Sequence, residues 1–121
     1  MITRLPEFEI YRGSTPLLEC GLPLELSGSD VVYASFAQGN RVVLEYRING
    51  SADPELTPPT GSMSLDPQNA AILRIQMTQA DTLRLEAGDA DLQLRIKTND
   101  GADTLIPVHG WVGKAYKGGT I

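Results

Sequence analysis

The sequence of 121 residues is poor in the side chains that bind metals and form covalent links. Its single cysteine, Cys20, excludes an intramolecular disulfide. Cys20 lies in a leucine-rich run that we predict to be a strand, where we expect a buried and unreactive thiol. A zinc site needs several nitrogen or sulfur ligands, and the chain offers one histidine, His109, far along the chain from Cys20. We therefore expect no metal site and no cofactor.

Catalytic motifs are missing as well. No serine lies in a Gly-x-Ser-x-Gly turn, and no Gly-x-x-x-x-Gly-Lys-Ser/Thr phosphate cradle is present. A general base needs a partner and a substrate pocket, and His109 on an apolar strand has neither in the sequence. We expect a structural or surface role for His109, on the same side of its strand as Trp111. The sequence predicts no enzymatic activity and no catalytic residues.

Positive charge and long apolar runs are also scarce. The net charge is −5 and the isoelectric point is near 4.7. An acidic chain repels phosphate backbones and anionic lipid surfaces, so we expect neither nucleic acid nor membrane as a partner. No stretch approaches the ~20 apolar residues that span a bilayer, and the first residues have no apolar signal-peptide core. We expect the protein to stay in the cytoplasm until it is assembled into a larger structure.

What the sequence does contain is period-two alternation of apolar and polar residues, the pattern of half-buried strands. It is clearest in Arg41 to Ile48 and in Asp91 to Thr98. Gly39-Asn40 and Asn99-Asp100-Gly101 are typical hairpin turns between such strands. A longer alternation, from Leu18 to Leu26, predicts one long strand with its leucines facing inward.

A short helix interrupts the strands. Thr78 to Asp81 resembles the start of a helix with a capping box, and Asp81 suits the positive end of the helix dipole. We expect this turn, near Thr78 to Thr82, to carry the chain from one sheet to the other. Leu83 and Leu85 would then close the end of the sandwich.

The predicted fold is all-β, a sandwich of about 7–8 antiparallel strands with one helical turn. We predict one domain over residues 1–112 and a flexible C-terminal tail over 113–121. The predicted core residues are Phe8, Ile10, Leu18, Leu24, Leu26, Val32, Phe36, Val42, Leu44, Tyr46, Ile48, Ile75, Leu83, Leu92, Leu94 and Ile96.

The segment from Ser51 to Pro67 is the least regular part of the chain. Its four prolines and its length predict a loop that is either functional or mobile. Met63 to Leu65 could form a brief strand within it, and Leu65 could cover the core.

Two groups of residues are candidates for binding. The acidic residues Asp89, Asp91, Asp100 and Asp103 could bind calcium, but aspartate is also common in turns for backbone reasons, and we favour that second interpretation. Aromatic residues are enriched at interface hot spots, so a partner could bind near the C-terminus. Trp111 is equally plausible as a core residue, whereas Tyr116 lies among glycines and is expected to be exposed. The candidate partner-binding residues are Trp111, Tyr116, Lys114 and Lys117.

The order of these pieces resembles a family of phage and prophage tail proteins of Gram-positive bacteria, which carry a small immunoglobulin-like domain. The resemblance is to the N-terminal domain of the baseplate upper protein. It rests on Ile10 to Gly13, Leu24 to Val31, Arg74 to Thr82, and Leu92 to Ile96 followed by Asn99-Asp100-Gly101, which are similar to the family's opening strand, second turn, helical turn and last hairpin. It implies an immunoglobulin-like β-sandwich.

The resemblance implies a virion or prophage structural protein that acts by binding other tail subunits or further copies of itself. It also implies a place in the virion after assembly. The alternative is a module that binds carbohydrate or a cell surface, in which Tyr33, Tyr46, Trp111 or Tyr116 would stack on sugar rings. Only 6% of the residues are aromatic, which gives this alternative little support.

Overall fold

The computed structural model describes residues 7–114, which form eight strands and one helix. No helix in that range is long and apolar enough to cross a membrane. The elements are, in chain order, β1 (Glu7–Tyr11), β2 (Leu17–Gly21), β3 (Val31–Gln38), β4 (Arg41–Ile48), β5 (Ser62–Asp66), β6 (Asn69–Gln76), α1 (Gln79–Leu83), β7 (Gly88–Lys97) and β8 (Asp103–Gly113).

The strands form two sheets, as the alternation predicts. One has five strands in the order β1-β8-β7-β3-β4, and the other has three in the order β2-β6-β5. The expectation of antiparallel pairing fails at one place, because β1 runs parallel to β8, from Glu7 opposite His109 to Tyr11 opposite Gly113. Alternation fixes which face a residue occupies but not the direction of the neighbouring strand, so the sequence pattern could not reveal this pairing.

The core lies between the inner faces of the two sheets. Ten predicted core residues are buried there: Ile10, Leu26, Val32, Phe36, Leu44, Tyr46, Ile75, Leu92, Leu94 and Ile96. Four others, Phe8, Leu18, Leu24 and Ile48, are half-buried and pack against them. Leu85 is buried at the end of the sandwich as expected, whereas Leu83 is only half-buried.

An aromatic row crosses the five-stranded sheet. The ring of Phe36 lies edge-on to Phe8, with centroids 5.6 Å apart, and to Tyr46, with centroids 6.0 Å apart. Such edge-to-face contacts stabilise the fold beyond the contribution from burying the rings. Phe8 lies directly over Gly110 of β8, where a β-carbon would collide with its ring. Glycine at position 110 therefore makes room for the first ring of the row.

The hairpin between β3 and β4 explains one wrong core prediction. Gly39 and Asn40 have φ angles of 57° and 65°, as the predicted tight turn requires. A β-bulge follows, because Phe36 lies opposite Leu44 while Ala37 lies opposite Val42. The extra residue reverses the faces, so Val42 is exposed and Val43 packs on the core. The alternation, read without the bulge, placed Val42 inside.

The predicted long strand from Leu18 to Leu26 is also corrected. β2 ends at Gly21, although burial continues to alternate beyond it. The N–H groups of Leu22 and Leu26 donate to the carbonyls of Ala71 and Ala70. Pro23 has no N–H to donate, so a regular ladder cannot continue through this segment.

A buried carboxylate joins the 51–67 segment to the helix. Thr78 caps α1 as predicted, accepting a hydrogen bond from the Asp81 N–H at 3.3 Å. The Asp81 carboxylate, instead of merely facing the helix dipole, accepts bonds from Tyr46 Oη at 2.5 Å and from the N–H groups of Thr60 and Gly61 at 2.8 Å each. Beyond this anchor the segment enters β5, which confirms the predicted strand at Met63 to Leu65.

Hydrogen bonding sets the ionisation of this group. Burial acts to raise the pKa of Asp81, but the bonds from Tyr46, Thr60 and Gly61 outweigh burial and lower it. Burial and the bond to Asp81 raise the pKa of Tyr46 in turn. Asp81 is therefore a charged structural anchor at neutral pH.

Candidate functional site

The outer face, as we call the side of the five-stranded sheet turned away from β2-β6-β5, carries most of the exposed large hydrophobic residues of the described chain. The described part of the chain has five large hydrophobic residues that are exposed, namely Tyr11, Leu17, Val42, Leu105 and Trp111. All except Leu17 lie on strands of the outer face, at positions that alternate with core residues. An antiparallel or mixed sheet that is covered on one side normally presents polar residues on the other. The outer face departs from that pattern.

Trp111 occupies an acidic end of the outer face. It is 51% exposed, which settles the choice between core and surface that the sequence left open. In the sheet register it lies between Glu9 of β1 and Asp89 of β7. An indole ring flanked by two carboxylates is suited to a cationic group, which gains from both the ring face and the charges.

His109 lies in the next row of the same end, between Glu7 and Asp91. Its Nδ1 is 3.1 Å from Asp91 Oδ1, and its Nε2 is 3.6 Å from Asp89 Oδ1. The hydrogen bond to Asp91, together with the charges of Asp89 and Glu7, raises the pKa of His109. His109 and Trp111 face the same way, as predicted, and both are exposed.

A shallow depression of about 410 Å³ runs along this end of the face. Its walls are formed by residues of β1, β7 and β8, namely Glu7, Phe8, Glu9, Asp89, His109, Gly110 and Trp111. The carboxylates give it negative charge and the Trp111 indole gives it an apolar surface. It is open to solvent and suited to a protruding side chain.

The opposite end of the outer face is basic. Leu105, Arg95, Tyr33 and Arg47 form one row across the sheet, and Asp103 and Lys97 begin the row beyond it. The Arg95 guanidinium donates to Asp103 Oδ2 at 2.8 Å. A second depression, of about 340 Å³, lies between these rows and the centre of the sheet. The outer face therefore has acid at one end and base at the other.

The polarity is sharpest along β7. Its outward positions are, in order, Asp89, Asp91, Gln93, Arg95 and Lys97. Two acidic residues thus precede the neutral Gln93, and two basic residues follow it. The inward residues of the same strand from Ala90 to Ile96 are all apolar and buried.

The four aspartates considered for calcium do not converge. Asp100 accepts hydrogen bonds from Thr98 and Ala102 in its turn, and Asp103 is paired with Arg95. Asp89 and Asp91 flank His109. Within residues 7–114, no group of three or more His, Cys, Asp or Glu is placed to hold a metal ion.

Of the predicted partner-binding residues, Trp111 and Lys114 fall within the described range. Lys114 is exposed directly after β8, which extends through Gly113, one residue into the predicted tail. Tyr116, Lys117 and the rest of the predicted tail from residue 115 lie outside the described residues. Cys20 is half-buried, and burial raises the pKa of its thiol, consistent with an unreactive cysteine.

The sequence does not single out Tyr11 or Leu105 as binding residues. Alternation places Tyr11 on the polar face of its strand with Glu7 and Glu9, as observed, and Leu105 begins an apolar run whose exposed side the sequence does not reveal. Alternation identifies the polar residues of β7, and only the sheet register shows that their acidic half and basic half lie at opposite ends of one surface.

No protein-family model and no curated protein matches the sequence. Solved structures do match the fold. The second Ig domain of the mouse polymeric immunoglobulin receptor is similar with a TM-score of 0.54 at 9% identity, covering 95% of this chain and 100% of that one. The NK cell receptor NKp44 is similar with a TM-score of 0.50 at 16% identity, covering 92% of this chain and 100% of that one.

CopC from Methylosinus trichosporium OB3b is similar as well, with a TM-score of 0.52 at 10% identity, covering 96% of this chain and 91% of that one. Identities this low establish the architecture alone. The single cysteine means that the inter-sheet disulfide of antibody domains has no counterpart here. This chain is an all-β, immunoglobulin-like sandwich.

Proposed function

We propose that this chain is a phage or prophage structural protein that acts as a protein–protein assembly module in a tail or baseplate. The order of motifs from Ile10 to Gly101 supports the phage assignment, and the immunoglobulin-like fold is compatible with it. The observation that carries the assembly role is the outer face, which bears four of the five exposed large hydrophobic residues in the described part of the chain. Two of these four residues are the aromatic Tyr11 and Trp111, and aromatic residues are enriched at protein-binding surfaces relative to the rest of a protein's surface.

The acidic end of the outer face predicts that the partner is positively charged. Trp111 lies between Glu9 and Asp89, so a partner that presents arginine or lysine gains cation–π and ionic contacts together. Aromatic anchors of this kind contribute a large share of interface energy. We therefore expect the tail subunits that bind here to do so through a basic patch.

The test is binding to the products of neighbouring genes. Tail subunits encoded beside this chain are expected to co-purify with it, and Trp111→Ala is expected to weaken that binding by about tenfold or more. Leu17→Ala is the matched control, because Leu17 is an exposed hydrophobic residue on the three-stranded sheet. Binding that is equally reduced by both variants, or by neither, contradicts the assignment of the outer face.

A carbohydrate-binding role is the second candidate, and the depression beside Trp111 is the feature that favours it. An exposed indole next to carboxylates can stack on a sugar ring while the carboxylates accept its hydroxyl hydrogen bonds. A glycan array, combined with the fluorescence of the single tryptophan, separates the two roles. A saturable fluorescence change with a surface sugar would favour this candidate over assembly.

A further inference from the structure

We propose that the outer face also binds a second copy of this chain, in a two-fold dimer centred on Gln93. This inference rests on the proposed assembly role and names one partner for the same surface. It follows from the order of charges along β7, which is complementary to itself when the strand is reversed.

The outward positions of β7 are evenly spaced along the strand, with Asp89 and Asp91 before Gln93 and Arg95 and Lys97 after it. A second copy of the strand, laid over the first in the opposite direction, places Lys97 over Asp89 and Arg95 over Asp91. A two-fold axis repeats each contact, so the dimer contains four pairings of opposite charge on β7 alone. No other registration of the two strands pairs all of these charges.

The required two-fold axis lies between the outer faces of the two copies. It runs perpendicular to the strands and passes through the position of Gln93. Rotation about it keeps each strand over its own counterpart and exchanges the two ends of the sheet. On β8, Pro107 lies opposite Gln93 and therefore near the axis. Leu105 of one copy then lies over His109 of the other, which covers one of the exposed hydrophobic residues.

Trp111 contributes at the acidic end. It neighbours Asp89 across the β7–β8 ladder, and the rotation places Lys97 of the second copy over Asp89 and Asp103 of the second copy over Trp111. The long lysine side chain, one strand away from the indole, can pair with Asp89 and reach the edge of the ring. The depression beside Trp111 gives it space.

The ion pairs within each copy do not prevent this exchange. Arg95 is paired with Asp103 and His109 with Asp91, but all four side chains are at least 40% exposed. Exposed pairs of this kind contribute little, so replacing them with pairs between copies costs little.

The size of the face is sufficient for a modest interface. Five strands at a spacing of ~4.8 Å and about five rows of outward residues give roughly 600–800 Å² per copy. A standard stable interface buries about 800 Å² per partner. We therefore expect a dimer that forms and dissociates with concentration, and that weakens as salt screens its charges.

The first test is sedimentation of the purified full chain over a wide concentration range. The expected result is a monomer–dimer equilibrium whose dissociation constant rises by about tenfold or more between low salt and ~0.5 M sodium chloride. A chain that stays monomeric at every concentration in low salt contradicts the proposal.

The second test exchanges the charges of β7. One variant carries Asp89→Lys with Asp91→Lys, and the other carries Arg95→Glu with Lys97→Glu. Each is expected to be monomeric by itself, because both ends of its face then have the same sign. An equimolar mixture is expected to form a heterodimer, since the inverted acidic end of one variant meets the inverted basic end of the other.

Glu19→Lys with Glu25→Lys is the matched control for the Asp89→Lys, Asp91→Lys variant, because it makes the same change in net charge away from the outer face. It is expected to dimerise like the unaltered chain. Circular dichroism and melting temperature establish that every variant is folded. A mixture that remains monomeric, a single variant that still dimerises normally, or open-ended oligomers in place of dimers would each overturn the proposal.

Binding to neighbouring tail subunits separates this inference from the proposed function. If the chain never dimerises but still binds such a subunit through Trp111, the self-pairing is wrong and the assembly role stands. If the chain dimerises as described but binds no tail subunit, the self-pairing stands and the phage role is contradicted.

Discussion

The two faces of β7 differ in both burial and charge. The inner face carries Ala90, Leu92, Leu94 and Ile96, all buried, and the outer face carries two acids, a glutamine and two bases. The inner residues all have the same role, since each only has to fill space in the core and exclude water. The outer residues have an order, and order is unnecessary for solubility alone. The comparison indicates that folding depends on one face of the strand and binding on the other.

The largest effect on stability is expected at Asp81, a buried charged residue of α1. Asp81→Ala should lower the free energy of unfolding by about 4 kcal/mol, because Tyr46 and the N–H groups of Thr60 and Gly61 lose a buried acceptor. Urea unfolding measures the change. Asp89→Ala is the control, and its stability should equal that of the unaltered chain because Asp89 lies on the outer face. Equal losses from both substitutions would contradict the distinction between the faces.

Within β7 the comparison can be made between adjacent residues. Leu94→Ala should cost about 2–5 kcal/mol, since Leu94 is 1% exposed and leaves a cavity. Gln93→Ala, one residue away on the outer face, should change the free energy of unfolding by less than about 0.5 kcal/mol. If Leu94→Ala also cost less than about 0.5 kcal/mol, the faces of β7 would be assigned the wrong way round.

A smaller loss is expected from crowding the aromatic row. Gly110→Ala should destabilise the fold by about 1–3 kcal/mol, because its β-carbon displaces the ring of Phe8. Gly21→Ala provides the comparison, since a β-carbon there meets nothing within 4 Å. In thermal unfolding, the melting temperature of Gly110→Ala should therefore fall below that of Gly21→Ala. A melting temperature that falls equally in both would remove the packing explanation.

Acidification should reduce the contribution of Asp81. Its pKa is lowered in the folded state, so its stabilising effect is complete above the unfolded value of about 3.9 and is lost as the pH falls through the lowered folded value. The difference in unfolding free energy between the unaltered chain and Asp81→Asn should accordingly shrink from pH 7 to pH 3. A difference that grows on acidification would mean that the folded pKa is raised instead.

The smallest effect on stability is expected at the site proposed for binding. Trp111→Ala should leave the melting temperature nearly unchanged, because half of the indole already faces solvent. The same substitution should weaken partner binding strongly. A large fall in the melting temperature would show that Trp111 belongs to the core and that its effect on binding is indirect.

The sequence was sufficient to predict the inner face but not the arrangement of the outer one. Alternation placed Leu92, Leu94 and Ile96 correctly, because every second residue of a half-buried strand is buried and therefore apolar. It failed at Val42, where the bulge inserts a residue that no composition rule reveals. The parallel pairing of β1 with β8 escaped it too, because that contact joins the two ends of the chain.

The candidate site illustrates the same limit. Trp111 was identified from its residue type, but its neighbours Glu9 and Asp89 come from β1 and β7 and meet it only through the sheet register. Asp81 was assigned to the helix dipole because its partners Tyr46, Thr60 and Gly61 lie 20 to 35 residues away. Contacts between distant segments determine both sites, and no local pattern encodes them.

The most direct test of the outer face is an amide chemical-shift titration of the ¹⁵N-labelled chain, from dilute to concentrated solution at low salt. The account predicts concentration-dependent shifts on β7 and β8, centred on Gln93, with the amides of β2, β5 and β6 unmoved. Shifts that cluster on β2, β5 and β6, or none on β7 at the highest concentration, would contradict it.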